Sequence, residues 1–131
     1  KITYSDGKYS TYNYDANGNI TSVINFDGYK LTYSYYATAP YKVQKIQEGH
    51  TDGTTGGSVN IVYGYNTTTF TDQDGRAETY QFNFNGNTIN IKDEDGSAQY
   101  YKYIENGGNK NKVSEQSKLQ KTTVNYLLNH N

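Results

Sequence analysis

The chain has no cysteine, no methionine and no tryptophan, and one proline, Pro40, in 131 residues. Without cysteine there are no disulfides, no thiolate metal sites and no thiol nucleophile. Histidine is nearly absent too, with His50 and His130 far apart in sequence. Charge of either sign is not in surplus: 12 Lys plus Arg against 13 Asp plus Glu leave a net charge of −1. That leaves no basic excess to hold a phosphate backbone, and nucleic acid is excluded as an expected partner. Apolar runs reach only two or three residues, so no segment reads as a membrane-inserted helix or a signal peptide. A chain starting at Lys1 with no methionine is expected to be an excised piece of a longer protein.

What is abundant is Tyr, Asn and Thr, at 16 each, with 13 Gly. Low hydrophobicity, at 33%, would suit disorder, but disordered segments are poor in aromatics. Tyrosine can bury its ring while its hydroxyl stays wet, and Tyr and Thr favour strands. The composition therefore implies an all-β chain with a thin, tyrosine-rich core.

Turn dipeptides set the rhythm. Asp-Gly or Asn-Gly occurs at 6–7, 17–18, 27–28, 52–53, 74–75, 85–86, 95–96 and 106–107. Within 6–28 and 74–107 the spacing is 10 or 11 residues, which leaves strands of ordinary length between tight turns. Such dipeptides supply the positive φ of two-residue type I′ hairpin turns. Residues 6–35 align without gaps on 74–103 at an offset of 68, with 11 of 30 positions identical. Tyr12-Asn13-Tyr14 and Tyr33-Ser34-Tyr35 are 21 residues apart, as are Tyr80-Gln81-Phe82 and Tyr101-Lys102-Tyr103. Residues i and i+2 of a strand share a face, so the repeat is about 21 residues and two strands. The expected fold is an antiparallel meander of successive β-hairpins over 1–112, interrupted at 47–57 by a Gly-rich flexible loop. Over 113–131 the period of two is lost. Leu119, Val124, Leu127 and Leu128 fall on one helical face behind capping candidates Ser114 and Ser117, so one C-terminal α-helix is expected over about 115–128.

Residues 12–23, Tyr-Asn-Tyr-Asp-Ala-Asn-Gly-Asn-Ile-Thr-Ser-Val, resemble the YD repeat of the RHS family, Tyr-x-Tyr-Asp-x-x-Gly-(Arg/Asn)-(Leu/Ile)-x-x-(Val/Ile). Tyr12, Tyr14, Asp15, Gly18, Asn19, Ile20 and Val23 fill its defined positions. The copy at 80–91 keeps Tyr80, Phe82 and Gly86 but has Asn83 for the aspartate and no aliphatic after Asn87. The resemblance implies the interior repeat region of a large wall-associated bacterial protein. It also implies secretion or surface attachment, and strands that build a shell around a cargo. The Pro- and Asp-rich core motif of self-cleaving members has no match here. Read without the family, Asp15 can accept turn N–H groups. Gly18 takes the positive φ. Ile20 and Val23 sit on opposite faces unless a bulge intervenes.

Asp72, Asp74, Asp93, Glu94 and Asp95 could suggest a calcium loop, but the EF-hand spacing is missing and the Asp-Gly sits where the repeat needs a turn. No metal and no cofactor are therefore assigned, and no catalytic residue, since no acid–base pair or nucleophile constellation can be named. Tyrosines outside the periodic pairs, namely Tyr9, Tyr29, Tyr36, Tyr41 and Tyr100, are the candidates for stacking on cell-surface carbohydrate. The expected function is a non-catalytic structural module that contacts neighbouring repeats of its parent chain. A carbohydrate-binding module is the alternative. Open sheet edges, such as that at Ile2, Thr3 and Tyr4, make self-association through strand pairing an expectation.

Overall fold

The computed structural model describes residues 1–120, which hold eleven strands and no helix. They are β1 (Ile2–Thr3), β2 (Tyr9–Tyr14), β3 (Ile20–Ile24), β4 (Tyr29–Tyr35), β5 (Val43–His50), β6 (Thr55–Tyr63), β7 (Thr67–Asp72), β8 (Ala77–Phe82), β9 (Thr88–Asp93), β10 (Ala98–Tyr103) and β11 (Val113–Leu119). The chain divides into two compact units. The first comprises Lys1–Val62 with Thr71–Gly75, the second Tyr63–Phe70 with the chain from Arg76 onward. In the first, β1 to β6 pair antiparallel in chain order. In the second, β8 to β11 do the same, and β7 lies against β8 through Thr69–Thr79 hydroxyls at 2.9 Å and an edge-on Phe70–Tyr80 contact at 5.5 Å.

Register decides which residues share a face. In the first unit Tyr12 pairs with Val23, Val23 with Leu31, Tyr33 with Ile46, and Ile46 with Val59, forming one apolar face. The opposite face carries Thr11, Asn13, Ser22, Thr32, Gln47 and Ser58, and the Asn13 amide donates to Ser22 at 2.8 Å. Among the described residues only Ser10, Ser22, Ile61 and Ala98 are buried, so burial is spread over many half-covered rings and methyls. Tyrosine suits such a surface because a half-buried ring leaves its hydroxyl free to bond.

The two copies share their hydrogen-bond register. Tyr12↔Val23, Asn13↔Ser22 and Tyr14↔Ile20 become Tyr80↔Ile91, Gln81↔Asn90 and Phe82↔Thr88, each shifted by 68. Ser22↔Thr32 and Ile24↔Lys30 become Asn90↔Tyr100 and Lys92↔Ala98. In each copy a bulge falls at the same place, with Thr21 and Ile89 as the extra residues. The bulge resolves the odd spacing of Ile20 and Val23: paired with Tyr14 and Tyr12, they share one face.

Three expectations are corrected. The turns are not two-residue type I′. In seven of the eight, all but that at Gly107, the residue three before the glycine accepts its N–H, as in Gly18→Asp15 at 3.1 Å and Gly86→Asn83 at 3.0 Å. Only the glycine has positive φ, 82° at both Gly18 and Gly86. This is the three-residue connection closed by a left-handed glycine, which asks nothing unusual of the Asn or Asp before it. Residues 47–57 are mostly strand: β5 runs to His50, β6 starts at Thr55, and the same glycine-closed turn joins them through Gly53 N–H to His50 O at 3.0 Å. The third correction is the helix. Residues 113–119 form β11, paired with β10 from Leu119↔Ala98 to Val113↔Tyr103, while 121–131 lie outside the described residues.

The reason for β11 is the repeat itself. β4–β5 pairs Tyr33↔Ile46, Ser34↔Lys45 and Tyr35↔Val43 across a bulge, and β10–β11 pairs Tyr101↔Gln116, Lys102↔Glu115 and Tyr103↔Val113 across another. The closing bonds Tyr36→Lys42 and Ile104→Lys112 correspond, as do the left-handed Tyr41 and Asn111. β11 is thus β5 again at an offset of 70, the connecting turn being two residues longer.

The glycines separate two physical demands. At Gly18 an added Cβ would meet nothing within 4 Å, whereas at Gly28, with φ 90°, it would lie 2.7 Å from His50 and Thr51. Gly18→Ala is expected to cost about 1 kcal/mol, the strain of a left-handed alanine. Gly28→Ala is expected to cost clearly more, because it also pushes the β5–β6 turn from its Thr51 N–H bond to Gly28 O at 2.9 Å. Urea denaturation of both variants checks this, and equal midpoints would refute it.

Candidate functional site

The chain's most organised polar constellation surrounds the bulge and turn between β2 and β3, with its counterpart between β8 and β9. Asp15 Oδ1 accepts the N–H groups of Asn17 and Asn19, both at 2.9 Å, and Asn83 Oδ1 accepts those of Asn85 and Asn87, both at 3.0 Å. Bonds from Asn19, chiefly its backbone N–H, hold the Asp15 carboxyl below the usual carboxylate range. From the end of β4, the Tyr35 hydroxyl donates to Ile20 O at 2.6 Å, beside the bulged Thr21. The Tyr103 hydroxyl does the same to Thr88 O at 2.5 Å, beside Ile89. Burial, followed by the Asp15 charge, raises the Tyr35 phenol. One tyrosine of each second aromatic pair is therefore an anchor that satisfies a backbone carbonyl at the irregular point of the ladder.

The next turns repeat the device. Asn25 Oδ1 accepts Tyr29 N–H and Asp93 Oδ1 accepts Ser97 N–H, both at 2.9 Å. Asp95 Oδ1 also accepts Ser97 N–H at 2.9 Å. The hydrogen bond between the Asp93 and Asp95 carboxyls raises Asp93 above its ordinary value, with desolvation and the charge of Asp95 adding to it. Glu94 Oε2 takes Ala77 N–H at 3.3 Å. These carboxylates are engaged in turn formation, and no group of three or more His, Asp or Glu that could hold a metal occurs among the described residues.

At the other tips, His50 Nε2 lies 2.8 Å from Asp27 O, and Asp52 N–H reaches Nδ1 at 3.3 Å. Asp52 Oδ1 takes the N–H and hydroxyl of Thr54 at 2.9 and 2.7 Å, which hold its carboxyl down. The His50 side chain thereby fastens one turn to another. His130 lies outside the described residues.

The tyrosines proposed for sugar stacking do not form one platform. Tyr9 is exposed with the Lys1 ammonium 3.9 Å from its ring centroid. It shares a face with Thr11, opposite the face of Tyr29. Tyr29, also exposed, pairs with His50, and burial and then Glu48 raise its phenol. Tyr36 and Tyr41 flank one turn, and the Tyr36 hydroxyl is committed to Ile61 O at 2.7 Å. Tyr100 belongs to the second unit, in β10, and is exposed. Tyr4, expected only as part of an open edge, and Phe26 form an exposed edge-on pair at 6.2 Å, with the Lys8 ammonium 4.7 Å from the Phe26 centroid. Tyr65 and Phe84 are fully exposed as well. Their exposure could have been read from sequence, since both fall at or just before turn positions where a ring has no strand neighbour.

The family model for the RHS Repeat matches residues 1–30, which supports the resemblance to the RHS/YD-repeat family. No curated protein matches the chain. The RHS repeat is a structural rather than a catalytic repeat, and proteins that carry it are generally at the cell surface or secreted. The matched segment contains the first glycine-closed turns, the Asp15 cap and the β2–β3 bulge.

Two predictions arise from this network. Tyr103→Phe and Tyr35→Phe each remove one donor from a partly buried carbonyl, with an expected cost of about 1 kcal/mol apiece, read by urea denaturation; no loss in either would refute the anchor. Asp93→Asn imitates Asn25 in the first copy. A carboxyl raised in the folded state contributes stability below its unfolded value and loses it as pH rises through the folded value. At neutral pH two like charges remain, so Asp93→Asn is expected to raise Tm there and not in acid below the unfolded carboxylate value, where Asp93 is protonated in both states. A gain independent of pH would refute the shared-proton account.

Proposed function

We propose that this chain is a non-catalytic structural repeat module of a secreted or cell-surface RHS-type bacterial protein, building part of a β-sheet shell. The observation that carries this reading is the reuse of one hydrogen-bond register, with its bulges, Asx caps and tyrosine anchors, at offsets of 68 and then 70. A binding site must keep particular side chains, whereas a wall must keep register. Here Leu31 becomes Gln99 and Ile46 becomes Gln116 while the pairing stays the same. The polar groups that do recur satisfy the backbone. Neighbouring repeats are the natural partners, through edges such as β1 and β11, which have one paired neighbour each among the described residues. Self-association of the separate chain would use the same edges.

Replacing residues 74–103 by the sequence of 6–35 tests the reading. Interchangeable wall units should give a chain with unchanged β-sheet circular dichroism and a single cooperative transition. Loss of cooperative folding would refute interchangeability. A glycan array with the unaltered chain tests the carbohydrate alternative, for which exposed Tyr29 beside Glu48 is the most suitable pair. Binding that disappears in Tyr29→Ala would move the function from wall to ligand capture.

A further inference from the structure

We propose that Asn106 is a site of spontaneous deamidation, selected from three Asn-Gly pairs by the β10–β11 turn. In this reaction the backbone nitrogen of the following residue attacks the asparagine Cγ. A C–N bond forms, the C–NH2 bond breaks, and ammonia leaves with the proton lost by the attacking nitrogen. Water then opens the cyclic imide to aspartate or to isoaspartate, which carries one extra backbone carbon. Glycine in the next position offers no side chain to hinder closure. The nitrogen must nevertheless be free of a hydrogen bond, and the chain must be able to turn.

The pairs Asn17-Gly18 and Asn85-Gly86 fail both conditions. Gly18 N–H is held by Asp15 O at 3.1 Å and Gly86 N–H by Asn83 O at 3.0 Å. The asparagines are fixed too, their own N–H groups bonded to Asp15 Oδ1 at 2.9 Å and Asn83 Oδ1 at 3.0 Å.

Asn106-Gly107 sits in a different kind of turn. By the rule of the other turns, Gly107 N–H would donate to Ile104 O, but that carbonyl is taken by Asn111 N–H at 2.9 Å. Among the described residues Gly107 N–H has no acceptor, although its carbonyl receives Lys110 N–H at 3.2 Å. Residues 105–112 are exposed, and an added Cβ at Gly107 or Gly108 would meet nothing within 4 Å. The corresponding first-copy turn, 36–42, contains no Asn-Gly, so the reactive pair belongs to one copy alone. Conversion places a carboxylate near Lys110 and Lys112 in sequence. An isoaspartate would lengthen a turn already two residues longer than its counterpart, so β11 keeps its register.

Ageing the folded chain in mildly alkaline buffer, followed by tryptic peptide mass spectrometry, tests this. Residues 17, 85 and 106 fall on separate tryptic peptides. Asn106 is expected to deamidate about fivefold to tenfold faster than Asn17 or Asn85, the factor that one net backbone hydrogen bond supplies. In urea the three rates should converge, because the protection lies in the turns. Asn106→Gln should remove the first acidic species seen by ion exchange. Asn17 or Asn85 reacting as fast as Asn106 in the folded chain would overturn the proposal. So would a rate ratio that unfolding leaves unchanged.

Discussion

A bulge in an antiparallel ladder leaves a peptide whose carbonyl needs a new donor, and satisfying that carbonyl is the constraint on which each block depends. Tyr35 and Tyr103 answer it at Ile20 O and Thr88 O. The bulge turns Ile20 onto the face of Val23, Tyr12 and Tyr14, and the anchor ties the end of β4 to the start of β3. Without this irregularity the spacing from the turn to the returning strand would put half of the motif's apolar residues on the polar side. Family sequence, fold and proposed role meet at this point.

Much of the fold was legible. Dipeptide spacing and the offset of 68 locate β2 to β4 and β8 to β10, because a turn fixes where strands begin more firmly than apolar content does. The bulge was legible only as an alternative, in the odd spacing of Ile20 and Val23. The turn type was misread because Asn-Gly and Asp-Gly suit more than one connection. The choice depends on φ at the residue before glycine, which is not a property of the pair. Residues 47–57 looked like a loop because Gly49, Gly56 and Gly57 weaken a strand. Here they share a hairpin stitched by the Gln47 amide, which donates to Gly56 O at 2.9 Å and Gly57 O at 3.2 Å. The expected helix rested on Leu119 and on residues beyond 120, while the signal for β11 was short: Lys42-Val43 recurs as Lys112-Val113 at an offset of 70, outside the period of the rest. Of the five isolated tyrosines, sequence gave their likeness to stacking residues but not their faces, since parity depends on register.

Comparing the copies shows which chemistry the architecture requires. Asp15 and Asn83 do the same work, as do Asn25 and Asp93, so what the turns need is a short side chain ending in an acceptor. Charge is incidental and becomes a liability where two carboxyls meet, as at Asp93 and Asp95. The Lys102–Glu115 pair, 3.1 Å apart across β10 and β11, replaces Ser34 opposite Lys45. A cross-strand ion pair thereby stands where the first copy has a hydroxyl.

The two extra residues between β10 and β11 carry a further meaning. The spacing from turn to bulge to anchor is rigid in both copies, whereas the last connection of the block stretches without disturbing the pairing after it. The repeat is therefore a unit of register with one elastic joint, not a unit of fixed length. Such a joint is where insertions can accumulate at little cost to the wall, and where foreign loops could be carried on an otherwise monotonous surface.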